Sequence, residues 1–273
     1  MPFFNAGIGA GDFADDRAMH KTTLKISVIT VCFNSAATIK DTLQSVATQT
    51  HPDIEHIVID GSSTDGTMEI VNSNRQRLAH VVSEPDRGIY DAMNKGLALA
   101  SGDIIGFLNA DDFYAMPNAL ELVAAPFSDP GVDAVYADLV YVDAVDTNRV
   151  VRYWKSRDYR PGLFLSGWMP AHPTFFVRRG IYKRLGGFDP EFQRQADFEL
   201  TMRFLEVHRI RPVYLPTILV KMRVGGASNN SIVNIIKGNI EAYRACKKNR
   251  LPVTWLFIGK KLLSRVPQFF TKP

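Results

Sequence analysis

The chain is short of cysteine. Cys32 and Cys246 are the only two in 273 residues, they lie far apart, and neither has a CxxC neighbour or a histidine at zinc spacing. A disulfide framework and a thiolate metal site are both excluded on that count, and a reducing compartment fits best. Hydrophobic runs are equally scarce, because no apolar stretch approaches the roughly 20 residues that a spanning helix requires. Internal repeats and low-complexity tracts are absent, which excludes solenoids and arrays. The first residues lack a basic start and are broken by Asp12, Asp15 and Asp16, a poor pattern for a secretory signal, so residues 1–23 are expected to form a loose leader. At the other end acid is missing. Between 232 and 273 nine Lys/Arg face one acid, Glu241, so this segment carries +8 in a chain whose net charge is +4.

What remains is enough to bury a real core, with 46% hydrophobic residues over a 273-residue chain. Ile26 to Cys32 is β-branched and almost continuously apolar, as a strand covered on both faces should be. Asn34 and Ser35 then offer caps to a helix carrying Ile39, Leu43, Val46 and Ala47 at helical spacing, until His51-Pro52 stops it. Ile54 to Ile59 reads as the next strand, a short helix follows from about Thr67, and a strand lies near His80 to Val82. Ile89 to Ala100 has the period of a helix, and Ile104 to Leu108 is strand again. Alternation of this kind predicts an α/β fold, a mostly parallel central sheet flanked by helices. Ligands in such sheets bind outside the carboxyl ends of the strands, where Asn34, Asp60 and Asp111 all fall. After Pro130 the pattern predicts a hairpin of Ala134–Val142 with Arg149–Tyr153, a strand at Phe175–Val177, helices near Arg179–Leu185 and Asp197–His208, and two short strands at 213–215 and 218–222.

Chemistry concentrates first in GFLNADDFYAMP, Gly106 to Pro117. Asp111 and Asp112 are adjacent like charges at a strand end. They either hold a divalent cation, Mg²⁺ or Mn²⁺ for oxygen ligands, or form Asx turns and cap a helix. Asp60 could accept from a base N–H or a ribose hydroxyl, while Asp65 in the same turn is a plain helix-start residue. The glycine-rich GIGAGD at 7–12 has no strand before it and lacks the full spacing of a phosphate loop. Asp197 is open to two readings, a general base or an N-cap, with Glu199 in reserve. His172 is a lone loop histidine, a type more often structural or exposed, and Trp168 nearby is readily a core residue. In the tail Trp255, Leu256, Phe257, Ile258, Leu262, Leu263, Phe269 and Phe270 alternate with Lys260, Lys261, Arg265 and Lys272, which suits either an anionic membrane surface or a helix packed on the body. No recognition motif accompanies that charge, so no nucleic-acid partner is expected.

ISVITVCFN, EHIVIDGSSTDGT and SEPDRGIYDAMNKGLALASGDIIGFLNADD together resemble the family 2 inverting glycosyltransferases with the GT-A (Rossmann-like) fold, in particular the bacterial branch that builds exopolysaccharide and lipopolysaccharide. The resemblance implies a nucleotide-sugar donor bound by Thr30, Asn34, Asp60, Arg87, Asn109 and Asp111. It places Asn109-Ala110-Asp111 on the family's DxD motif, with Asp111 and Asp112 at the metal and Asn109 in place of the first carboxylate. Asp197 matches the Asp of the ED motif, with Ala196 replacing its Glu, and becomes the catalytic base. His172 and Trp168 would lie toward the acceptor, a saccharide or lipid-linked saccharide, where Trp168 could stack on a sugar ring. The expected organisation is a glycosyltransferase domain over 24–228, divided into a nucleotide-sugar half (24–128) and an acceptor half (129–228), followed by a basic amphipathic helical tail (229–273) at the inner face of the cytoplasmic membrane. A nucleotidyltransferase, and a non-catalytic module that binds sugar nucleotides or tethers a complex to the membrane, are the alternatives.

Overall fold

The computed structural model describes residues 23–225 and 232–263, so the leader, the GIGAGD stretch and the tail beyond 263 lie outside the described residues. Four strands, β1 (Ile26–Cys32), β2 (Ile54–Asp60), β3 (His80–Ser83) and β4 (Ile104–Phe107), lie side by side in the order β3-β2-β1-β4, all parallel. Every residue of β1 is buried, as its unbroken apolar pattern requires of a strand covered on both faces. Helix α1 (Ile39–Ala47) buries Ile39, Thr42, Leu43 and Val46, one stripe at helical spacing. It starts later than Asn34-Ser35 suggested. Asn34 is held at φ 49° and its side-chain oxygen accepts from the Thr64 N–H, so it serves the neighbouring loop rather than the helix. α2 (Thr67–Ser73) and α3 (Ile89–Leu99) fall where the periodicity put them. Asp65 starts α2 by accepting from the Thr67 N–H and hydroxyl, and it also ties in the Ala36 N–H.

The sheet continues through the second half. β5 (Asp112–Tyr114) and α4 (Ala119–Ala124) precede β6 (Ala134–Val142), which forms the predicted hairpin with β7 (Val150–Trp154). β8 (Phe176–Arg178) pairs antiparallel with both β4 and β6, joining the two halves into one nine-stranded sheet in the order β3-β2-β1-β4-β8-β6-β9-β5, with β7 beside β6. β1 to β4, β6 and β9 run one way, and β5, β7 and β8 the other. The two short strands expected at 213–215 and 218–222 are one, β9 (Pro212–Arg223). Pro216 has no N–H to give the ladder, and the register skips from Leu215 to Ile218 instead of ending the strand. α5 (Arg179–Leu185) agrees with its expected span. α6 (Ala196–Met202) stops short of His208 and widens into a π-helical turn over Arg203–Val207.

The tail is docked over much of its described length. α7 (Ile232–Lys248) packs on α6 with Ala242, Ala245 and Cys246 buried, and α8 (Leu256–Leu263) returns across the body. Two of its lysines are paired with the body, one at the surface and one buried. Lys248 bonds Asp189 and Glu191, while Lys261, 1% exposed, donates to Gln195 Oε1 and sits 4.5 Å from the Phe198 ring centroid. A packed helix therefore accounts for that face. Trp255, Leu256, Leu262 and Leu263 remain exposed.

Candidate functional site

The loops after β1, β2 and β3 meet at one end of the sheet, and four of their residues have left-handed backbones: Asn34 (φ 49°), Ser62 (φ 66°), Gly66 (φ 94°) and Gly88 (φ 114°). Strain of this kind in non-glycine residues persists only where the surroundings over-determine it, and it gathers at functional sites. Asp60 closes β2 fully buried. Burial pushes its carboxyl up, but donation from the Ser63 hydroxyl and N–H and from the Ser83 hydroxyl outweighs this and holds it below the usual carboxylate range. Both oxygens are thus engaged within the loops. Thr30 lies two residues inside β1, fully buried, with its hydroxyl 3.0 Å from His56 Nε2, while burial pulls His56 down to about 4. Arg87 is the opposite case. Its side chain is 85% exposed and pairs only with Asp91, whose other oxygen accepts the Arg87 N–H at the start of α3. Lys95 bonds Glu84 and the Pro85 carbonyl below it.

The turn from Asn109 to Asp112 leaves β4 and enters β5 at the same end. β4 can come close to β8 because residue 106 is glycine, where a Cβ would stand 2.2 Å from the Phe176 ring. The turn itself is fixed through its backbone. The Thr42 hydroxyl donates to the Asp112 carbonyl at 2.7 Å, and Arg223 from the end of β9 donates to the Asp111 carbonyl at 3.0 Å while its other nitrogen bonds Asp41. The side chains are left unsatisfied. Among the described residues Asp112 is 0% exposed and neither carboxylate oxygen makes a well-formed hydrogen bond, although the Asn109 side chain and the Arg223 backbone lie near enough to favour its charged form; the Asn109 Oδ1 atom has no partner either. Burial, then the charge of Asp111, push Asp112 well above the ordinary carboxylate value, with Arg223 opposing; burial raises Asp111 as well. Buried acceptors without donors are costly. A hard cation is the partner that would satisfy three oxygens at once, so these residues fit Mg²⁺ or Mn²⁺. Among the described residues no three His, Cys, Asp or Glu side chains gather at one point, so the protein would contribute few ligands and leave the rest to diphosphate and water.

Asp197 opens α6 on the acceptor side. Its Oδ1 accepts the Tyr90 hydroxyl at 3.0 Å and the Phe198 N–H at 2.8 Å, whereas Oδ2 has no hydrogen bond among the described residues. Glu199, the reserve candidate, is 2% exposed and bonded to Arg203 and Asn249, which makes it a structural ion pair facing α7. His172 is buried with both ring nitrogens unpartnered, stacked 5.6 Å from Phe107 of β4 and edge-on to Phe188 at 5.5 Å. Burial lowers its pKa, and the nearby Asp197 charge pulls the other way. Trp168, 8% exposed, packs against Tyr136, Tyr159 and Phe164. That is core packing, and the stacking role proposed for it from sequence is not what its surroundings support.

Sequence reasoning missed Tyr90 and Arg223. Tyr90 stood inside a quoted motif, but its partner is 107 residues away, and Arg223 reaches the Asp111 carbonyl across 112 residues. A groove of about 420 Å³ runs along α1 between Asp41, Phe113 and Arg223, and none of the sequence-predicted site residues lines it.

The profile described as glycosyl transferase family 2 matches residues 27–186. The chain is 30% identical over 211 residues to the PGL/p-HBAD biosynthesis glycosyltransferase of Mycobacterium bovis, covering 76% of this chain and 80% of that protein. It is 27% identical over 249 residues to the putative glycosyltransferase EpsE of Bacillus subtilis, covering 88% of each. In structure it is similar to S. aureus TarS 1-349, solved in complex with UDP (TM-score 0.58, 23% identity, 80% of this chain and 65% of that one). It is also similar to the mannosyltransferase PcManGT of Pyrobaculum calidifontis, solved with GDP-Man and Mn²⁺ (TM-score 0.62, 22% identity, 84% of this chain and 64% of that one). The chain thus spans less than two thirds of those two solved proteins, and at these identities the likeness is one of fold, a mixed α/β GT-A sheet.

Proposed function

From a chain that belongs to glycosyl transferase family 2, we infer an inverting glycosyltransferase that moves a sugar from a nucleotide-sugar donor to the hydroxyl of a saccharide or lipid-linked saccharide in cell-surface glycan synthesis. The observation that carries this reading is the set of buried oxygens without a well-formed hydrogen bond, Asn109 Oδ1 and both of Asp112, at the carboxyl end of β4. An acceptor-only cluster beside a second carboxylate suits a cation shared with a diphosphate better than any ligand the chain itself provides. Asp111 and Asp112 would hold the metal with Asn109 beside them; bound there, it would stabilise the negative charge that develops on the leaving diphosphate.

The chain's own residues do the remaining work. The loops carrying Asn34, Asp60 and Arg87 line the nucleoside side, with Asp60 already braced by Ser63 and Ser83 and Arg87 free to exchange its exposed pairing with Asp91 for a phosphate. Asp197 Oδ2 faces the acceptor and takes the proton of the attacking hydroxyl as the new bond forms opposite the diphosphate, which inverts the anomeric centre. A carboxylate with one oxygen held by two donors and the other open is arranged for that proton transfer. Exposed Trp255, Leu256, Leu262 and Leu263, with Lys260 among them, supply an apolar-basic face suited to an anionic bilayer that presents a lipid-linked acceptor.

The test offers UDP- and GDP-sugars with Mn²⁺ and a panel of saccharide and polyprenyl-phosphate acceptors, and follows nucleoside diphosphate release and product anomer. Release of nucleoside diphosphate with an inverted product is expected. Pyrophosphate release from a nucleoside triphosphate would make the protein a nucleotidyltransferase, and donor binding without any release would make it a sugar-nucleotide-binding module.

A further inference from the structure

We propose that Tyr90 is a positioning residue for the general base: its hydroxyl pins Asp197 Oδ1 so that Oδ2 alone is presented to the acceptor, and through α3 it joins the base to the donor loop. The inference rests on Asp197 being that base. Tyr90 lies in the first turn of α3, two residues after Gly88 and three after Arg87, the exposed arginine of the donor side. Its ring stacks on Phe188 at 5.4 Å, and Phe188 in turn contacts Phe107 of β4 and His172. A continuous line of rings thus runs from β4, the strand that leads into the Asn109 turn, to the residue that holds Asp197.

The hydroxyl has one proton and two acceptors, Asp197 Oδ1 at 3.0 Å and the Arg194 carbonyl at 3.2 Å. Burial, then the charge of Asp197, hold the phenol well above its ordinary value, so it stays a donor at any working pH. The ionised carboxylate is the stronger acceptor and keeps the proton of Tyr90. Once Oδ2 has taken a proton from the acceptor hydroxyl, Asp197 is neutral, and the Arg194 carbonyl competes on even terms. The bond is strongest in the state that precedes proton transfer, and that is when orientation of the base matters.

The charged and titratable groups around Asp197 come from every side. Tyr90 faces it from α3 and His172 from the turn before β8. Arg194, in the same loop, is tied through its N–H and guanidinium to Glu241 of α7, and Lys261 of α8 bonds the adjacent Gln195. Glu199 is neutralised by Arg203 within α6. Tyr90 is the side chain among these that donates directly to the carboxylate.

Tyr90→Phe keeps the ring on Phe188 and removes only the donor. Using the donor identified by nucleoside diphosphate release, kcat should fall about tenfold with the donor KM unchanged, the signature of an interaction made on the way to the transition state. Incorporating 3-fluorotyrosine at position 90 keeps a donor there and makes it a stronger one, so kcat should return to the wild-type level or above, a rescue that a purely structural role would not produce. An unchanged kcat in Tyr90→Phe, or a loss confined to KM, overturns the proposal. Asp197→Asn separates the two levels: retained turnover there sinks the base assignment itself, whereas an inactive Asp197→Asn beside a Tyr90→Phe of wild-type kcat sinks only the role of Tyr90.

Discussion

Replacing Asp112 by asparagine should make the metal-free protein more stable and the metal-loaded protein less responsive, and the two effects have opposite signs. In the wild type Asp112 is 0% exposed, neither oxygen makes a well-formed hydrogen bond, and Asp111 adds a like charge next door. Its folded-state pKa is raised above the unfolded value, so the protein prefers the protonated form. The associated stability is present at low pH and is lost as pH rises out of the ordinary carboxylate range toward the raised value. An unsatisfied buried group costs about 1–3 kcal/mol, and each kcal/mol moves Tm by roughly 2–4 °C in a chain of this size class. Asp112→Asn keeps the shape and removes the charge, so its metal-free Tm at pH 7.5 should rise by about 2–12 °C, with the pH-dependent loss flattened. Saturation of the wild type with Mn²⁺ and a nucleoside diphosphate at about 100 times Kd would add about 2.7 kcal/mol, or roughly 5–10 °C, and the variant should forfeit most of that gain. Differential scanning fluorimetry with and without Mn²⁺ reads all four states. A variant that melts lower without metal yet keeps the metal-dependent gain would show that Asp112 has its partner within the protein and that the orphaned-oxygen argument is mistaken.

Three other perturbations rest on the same geometry. His56, buried against Thr30 and pulled down to about 4, leaves the folded state binding fewer protons than the unfolded one below the ordinary histidine range. Stability should therefore be full above about pH 6.5 and fall by up to about 3 kcal/mol as pH drops toward 4, a slope that urea midpoints should show reduced in His56→Gln. Gly106→Ala drives a methyl to 2.2 Å from the Phe176 ring and should lower the urea-derived stability by about 1–3 kcal/mol; an unchanged midpoint would mean that β8 yields without cost. Arg223→Lys preserves charge but cannot reach both Asp41 and the Asp111 carbonyl as the forked guanidinium does, so nucleoside diphosphate affinity measured by calorimetry should drop about tenfold.

The first half of the fold was legible because its signals are local. β1 and β4 announce themselves by short runs buried at every residue, β2 by its apolar core Ile57–Ile59, and α1 and α3 by a single buried stripe each. The second half was legible only in pieces. Pro216 reads as a strand end in one dimension, but β6 carries the ladder past it by a register shift, which depends on a partner more than seventy residues away. The tail was legible only in part, for a related reason. Lys261 reads as surface charge beside apolar residues until Gln195 is brought to it by the fold, and Lys248 gains Asp189 and Glu191 in the same way.

The site divides along the same line. Residue types told which atoms could carry chemistry, so Asp111, Asp112 and Asp197 could be picked from strand and helix ends before any contact was known. What makes each of them usable is a neighbour that no spacing predicts. Asp112 stands out because it is fully buried without a well-formed hydrogen bond among the described residues, a property of three-dimensional packing that a sequence cannot express. Asp197 stands out because Tyr90, on a helix of the other half, holds one of its oxygens and leaves the second open. Asp197 is not the N-cap of α6, which is Gln195, but it does serve the helix start, because its Oδ1 accepts the Phe198 N–H in the first turn. Its partner across 107 residues argues for more than that, since a residue needed only to start a helix has no use for a buried tyrosine on the donor side. The two halves of the sheet are therefore joined at Asp197, and if Asp197 is the base as proposed, a change in the loop before α3 should reach it through Tyr90.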